Sequence, residues 1–146
     1  MAKGAPARIL IIAGSDSGGG AGIQADIKAV TMLGGHAMTA VTAITAQNTL
    51  GVDAVHMIPA QMVMDQISAV VSDSGVDAVR IGMIGNAETA HAVADSLSEL
   101  SCPIIFDPVM ISTSGAVLAD GDTIAAFERL MGLATLTTPN LPELQA

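Results

Sequence analysis

The stretch "RILIIAGSDSGGGAGIQADIKAV", residues 8–30, decides the fold. It opens on a continuous apolar run, Ile9 to Ile12, which is the pattern of a strand buried on both faces. Five of the ten residues from Ala13 to Gly22 are glycine, so the strand ends in a turn with few side chains. Ile23, Ile27 and Val30 then recur at helical spacing, and Gly34 and Gly35 close the segment. Strand, glycine turn and helix in direct succession predict the first step of an alternating chain.

The alternation continues outward. "MTAVTAITAQ" (38–47) is rich in β-branched residues and predicts a strand. "AQMVMDQISAVVSD" (60–73) predicts a helix entered through Pro59, and "VDAVRIGMIG" (76–85) a strand closing on glycine. "NAETAHAVADSLSEL" (86–100) predicts a helix with Asn86 as N-cap. "PIIFDPV" (103–109), "GDTIAAFERLMG" (121–132) and "LATLTTPN" (133–140) predict strand, helix and last strand. Unbroken apolar strands alternating with helices define an α/β fold with a mostly parallel central sheet flanked by helices. No repeat, linker or low-complexity tract divides residues 1–146, so a single domain is expected.

Composition narrows the function. Hydrophobic residues make up 51% of the 146 and aromatic ones 1%, so the core falls to Ala, Val, Ile, Leu and nine Met. The methionines read as core filler, with Met83 and Met110 set apart at strand ends. A net charge of -9 argues against a nucleic-acid or anionic-membrane partner. Small anions stay possible through local backbone dipoles. One cysteine, Cys102, excludes a disulfide framework and a multi-cysteine zinc site, and reads as a small core residue. His36, His56 and His91 lie on separate elements without metal-ligand spacing. The run after "MAKGAPAR" is too short for a signal peptide, and "AMTAVTAITA" is shorter than the ~20 residues a membrane span needs. The expectation is a soluble cytoplasmic protein.

Ligands of such sheets bind beyond the carboxyl ends of the strands. Gly14 and Asp16, Gln47 and Asn48, Gly82 and Met83, Asp107, and Asn140 with Glu143 all fall there. The glycine loop admits several readings. Gly20 to Ala25 fits G-x-G-x-x-A, yet the region about 20 residues on, "AITAQNTLG" (43–51), carries no acid to hold a ribose, and the next acid is Asp53. A P-loop would need a lysine after the last glycine, and "GGGAGIQ" has none. A loop that brings backbone amides to a small ligand, or a plain tight turn, both stay open. "DPVM" (107–110) reads as a carboxylate offered to metal or phosphate, or as an Asp-Pro turn. "TPNLPE" (138–143) aims Asn140 and Glu143 outward, or places Glu143 in the first turn of a helix with Pro142 at its first position.

Taken together, "AGSDSGGGAGIQADIKA", "TAITAQNTLGV", "IGMIG", "DPVM…TSG" and "TPNLPE" resemble the hydroxymethylpyrimidine/phosphomethylpyrimidine kinases of thiamine biosynthesis, in the ribokinase-like superfamily. The resemblance runs from about Ile9 to the last residue. It implies ATP-dependent phosphorylation of 4-amino-5-hydroxymethyl-2-methylpyrimidine and then of its monophosphate, with Mg2+, by a homodimer. It places Gly14, Asp26, Gln47, Met83 and Val109 at the pyrimidine, and Asp107, Asn140 and Glu143 at the ATP phosphates. Asp107 and Glu143 would face the metal. Family members continue for roughly another hundred residues, the size expected of such a domain. The resemblance puts the catalytic Cys or Asp beyond Ala146, so the C-terminal part of the family fold is expected to be missing and the chain alone inactive. A pyridoxal/pyridoxine kinase-like enzyme and a non-catalytic pyrimidine-binding module are the alternatives.

Overall fold

The computed structural model describes residues 4–112 and 115–145; Thr113 and Ser114 of the "TSG" stretch lie outside the described residues. Strand β1 (Arg8–Asp16) is the axis of the molecule, with Leu10 to Ala13 wholly buried. After α1 (Gly22–Met32) come β2 (His36–Gln47), β3 (Val52–Met57), α2 (Ala60–Asp73), β4 (Ala78–Ile81), α3 (Ala87–Leu97), β5 (Ile104–Phe106), α4 (Gly121–Leu133), β6 (Leu136–Thr137) and α5 (Leu141–Gln145). The sheet order is β3-β2-β1-β4-β5-β6, parallel throughout except for the β2–β3 pair. The chain leaves β1 at the centre, builds one side, then returns to β1's other edge, and that reversal opens a crevice at the strand ends.

The two faces of the sheet are covered unequally. One faces α2, α3 and α4, and the core lies there: Leu10, Ile12, Val79, Ile81 and Phe106 meet Val63, Ile67, Val93, Phe127 and Leu130. Phe106 and Phe127 pack edge to face with ring centroids 5.2 Å apart. The opposite face carries α1, which contributes no fully buried residue. Helix starts follow their sequence signals. Asn86 and Asp120 cap α3 and α4 by accepting the Thr89 and Thr123 backbone N–H groups at 2.8 and 2.9 Å.

Several expectations need correction. The expected elements do not include β3; it pairs antiparallel with β2, and its four central residues are exposed, so no apolar stripe announces it. β4, β5 and β6 are shorter than the predicted runs, because residues 82–85, 107–109 and 138–140 leave the sheet to build the rim. β1 instead runs on to Asp16, with a register shift against β2 between Ala13 and Ser15. The helix after Asn140 begins at Leu141, so Pro142 occupies its second position. Met38 and Met110 are buried, but Met32, Met62 and Met131 are exposed, since they sit on outward sides of helices with no layer above them.

Candidate active-site cleft

A cavity of about 330 Å³ opens at the carboxyl ends of the parallel strands, a size suited to a small ligand. Gly14, Asp26, Gln47, Met83, Val109, Asp107, Asn140 and Glu143 all line it. The walls come from five separate stretches of sequence that only the sheet order brings together.

The glycine loop is organised from within. The Asp16 carboxylate, 5% exposed, accepts the backbone N–H groups of Gly18, Gly20 and Ala21 at 2.8, 2.9 and 2.8 Å. The amides that a bound anion would use near the start of α1 are thus taken by the protein's own acid. Gln24 ties the loop to α1: its side-chain oxygen accepts the Asp16 N–H at 2.8 Å and its amide donates to Ser15 Oγ at 2.7 Å. Lys28 Nζ donates to the Gly19 carbonyl at 2.6 Å. A β-carbon at Gly22 would lie 2.3 Å from the Gly14 carbonyl oxygen, and Gly22 has φ +56°. That glycine is required by the chain's contact with itself.

The loop in turn fixes the end of β2. Ser17 Oγ donates to the Gln47 carbonyl and accepts the Gln47 N–H, both at 2.7 Å. Gln47 Oε1 accepts from Thr45 Oγ1 at 3.2 Å. Its side-chain NH2 has no partner among the described residues, so it can serve a ligand. Met83 lays its sulfur over Gly14, where a β-carbon would come within 3.1 Å of it. The buried Thr42 hydroxyl holds this segment by donating to the Met83 carbonyl at 2.7 Å.

Charge in the cleft centres on Arg80. Its Nη2 is 2.9 Å from Asp107 Oδ2 and its Nε 3.4 Å from Asp26 Oδ2. Burial pushes the Asp26 carboxyl above its ordinary value; Arg80 opposes this, and the Asp107 charge adds to it. Asn140 and Glu143 are joined to each other. The Asn140 N–H donates to Glu143 Oε2 at 2.9 Å, and the Glu143 N–H to Asn140 Oδ1 at 3.0 Å. This reciprocal cap starts α5, so Glu143 is a first-turn acid and also a cleft residue.

Asp16 and Arg80 are the residues that sequence reasoning missed in these roles. An arginine inside the apolar run "AVRIG" was the available signal, because a charge in a buried strand must find a partner. The histidines are exposed. Burial pushes the Cys102 thiol up, away from reactivity. No group of three or more His, Cys, Asp or Glu among the described residues is placed to hold a metal ion. No helix among them is long and apolar enough to cross a membrane.

A central parallel strand, a glycine turn into α1 and a polar cleft at the strand ends define a ribokinase-like α/β protein. The family model described as phosphomethylpyrimidine kinase matches residues 16–146, and the chain belongs to that family. It is 50% identical over 143 residues to the hydroxymethylpyrimidine/phosphomethylpyrimidine kinase of Mycobacterium leprae, covering 96% of this chain and 51% of that protein. Among solved structures it is similar to the phosphomethylpyrimidine kinase of Clostridium difficile, with TM-score 0.89 and 42% identity over 95% of this chain and 61% of the other. The pyridoxal kinase of Staphylococcus aureus in complex with pyridoxal shares the fold at TM-score 0.85 and 32% identity, covering 96% of this chain and 52% of that one. The chain spans about half the length of the Mycobacterium leprae and Staphylococcus aureus kinases.

Proposed function

We propose that this chain is the pyrimidine-binding portion of an ATP-dependent kinase that phosphorylates 4-amino-5-hydroxymethyl-2-methylpyrimidine and its monophosphate. The observation that carries the reading is the single cleft lined by Gly14, Asp26, Gln47, Met83 and Val109 on one side and Asp107, Asn140 and Glu143 on the other. Gln47 presents its amide to the polar edge of the ring. Met83 and Val109 give the ring a polarizable, apolar wall. Asp26 accepts from the ring amine or the hydroxymethyl arm, and the Asp16-built loop closes the end of the site.

Asp107 and Glu143 are hard oxygen donors, and Mg2+ is commonly held by one or two carboxylates together with substrate phosphates. With no larger acidic cluster among the described residues, the cleft fits a cation carried in by a nucleotide rather than a closed protein cage. Bound there, Mg2+ would neutralise phosphate charge. The chain's own acids are engaged: Asp16 with loop amides, Asp26 and Asp107 with Arg80. These residues bind and orient, which is much of phosphoryl transfer, while none of the three acids is free to take the hydroxyl proton. The cytoplasmic location and homodimer implied by the resemblance belong to the same proposal.

Calorimetric titration of the chain with the pyrimidine alcohol tests the reading. Binding is expected, and Gln47→Leu should weaken it by ~1–3 kcal/mol through an unpaired polar edge. Tighter binding of pyridoxal than of the pyrimidine, or an unchanged affinity in Gln47→Leu, would reassign the cleft.

A further inference from the structure

Arg80 is the one Lys or Arg side chain that lines the cleft among the described residues. It leaves β4 between Val79 and Ile81, both fully buried, at a register opposite Ile11 and Ile105. Its Nη1 donates to the Ile81 carbonyl at 2.6 Å. The same carbonyl accepts the Asp107 backbone N–H at 2.9 Å, so the guanidinium and the backbone of Asp107 share one anchor. Gly82 makes the seat: a β-carbon there would stand 2.8 Å from Arg80 Nη1 and 3.1 Å from the Ala13 β-carbon. An ion pair whose side chains remain 21–29% exposed is partly screened by water and contributes little net stability. The arrangement therefore calls for a role beyond folding.

We propose that Arg80 is the resident counter-ion of Asp107, a positioning residue that holds the carboxylate until a divalent cation displaces the guanidinium. The fork can give up Asp107 and keep Asp26, because Nη2 serves the first and Nε the second. Competition from a built-in cation weakens binding of a bare metal ion at Asp107 and favours one that brings phosphates with it. The inference rests on the reading of Asp107 as a cation-facing residue.

The test is Mn2+ binding to the 146-residue chain, with free Mn2+ read by electron paramagnetic resonance. Removing the charge in Arg80→Met should tighten Mn2+ binding about tenfold, Arg80→Lys should stay near the parent, and Asp107→Asn should abolish the gain. Unchanged or weaker binding in Arg80→Met, with Asp107→Asn still losing affinity, overturns the role of Arg80 alone. Asp107→Asn without effect in either background overturns the metal reading and this inference together. Should circular dichroism show Arg80→Met unfolded, Gly82→Ala decides: crowding the Nη1 seat should tighten Mn2+ binding in the same direction, and no change overturns the proposal.

Discussion

The two faces of the sheet divide the work of the molecule. Behind it, α2, α3 and α4 close over an apolar layer centred on Phe106 and Phe127. In front, α1 buries nothing completely, and the side chains toward the rim are Asp26, Arg80 and Asp107, each still 21–29% exposed. The same strands feed both faces, since alternate residues point opposite ways: Val79 and Ile81 go to the core, Arg80 to the cleft. Stability is concentrated where packing is dense, which leaves the front free to hold charges that a packed core would exclude.

Phe127→Ala probes the packed face and should have the largest effect. The ring is fully buried and meets Phe106 edge to face, so its loss should cost about 3–5 kcal/mol. The matching change in front, Ile27→Ala on a half-buried position of α1, should cost about 1 kcal/mol. Urea midpoints of the two variants compare the faces directly. Equal losses would mean that the front layer carries as much of the fold as the back.

The next change moves to the boundary between the faces. Asp16→Asn keeps the size of the side chain but loses the charge and one of its acceptor oxygens. Three backbone donors at 2.8–2.9 Å would then compete for one oxygen. A loss of about 1–3 kcal/mol is expected, together with weaker pyrimidine binding, because Ser17 on the loop holds Gln47. If stability falls while pyrimidine affinity holds, the loop is only a turn and its link to the cleft is unsupported.

This division also explains what was legible in the sequence. The packed face reads well: the periodicity of Val63, Ile67, Val93 and Phe127 is a helix signal, and the runs through Leu10, Val79 and Ile104 are a strand signal. The strand-end placement of Gly14, Gln47, Met83 and Asp107 follows from the same alternation. The edge did not read, because β3 exposes its central residues and carries no stripe. Nor did the internal wiring of the cleft. Asp16 reads as a rim acid and the glycine loop as either a seat of amides for a small ligand or a plain tight turn, whereas the acid itself bonds the loop amides and Gly22 meets the Gly14 carbonyl. Arg80 joins Asp26 and Asp107 across 54 and 27 residues of sequence respectively, and no local pattern encodes such contacts.

The smallest expected effect lies at the opposite end of β1 from the cleft, in a second arginine–aspartate pair. Arg8 Nη2 and Nε donate to Asp77 Oδ1 and Oδ2 at 2.7 and 2.9 Å, and the Arg8 N–H adds a bond of 2.8 Å to Oδ2. Both side chains are more than two-fifths exposed, so the pair is screened by water and contributes modestly. Hydrogen bonding from Arg8 holds the Asp77 carboxyl well below the usual carboxylate range. A carboxyl with a depressed folded-state value stabilises fully above its unfolded value, about 4, and loses that contribution as pH falls from there toward the folded value. Asp77→Asn should therefore lower the urea midpoint slightly at pH 7, and the gap to the parent should narrow steadily below about pH 4. Because this pair only ties Arg8 at the start of β1 to the residue preceding β4, pyrimidine binding should not move. A gap that widens in acid, or a change in pyrimidine affinity, would mean that this end of the strand is not the inert counterpart of the cleft.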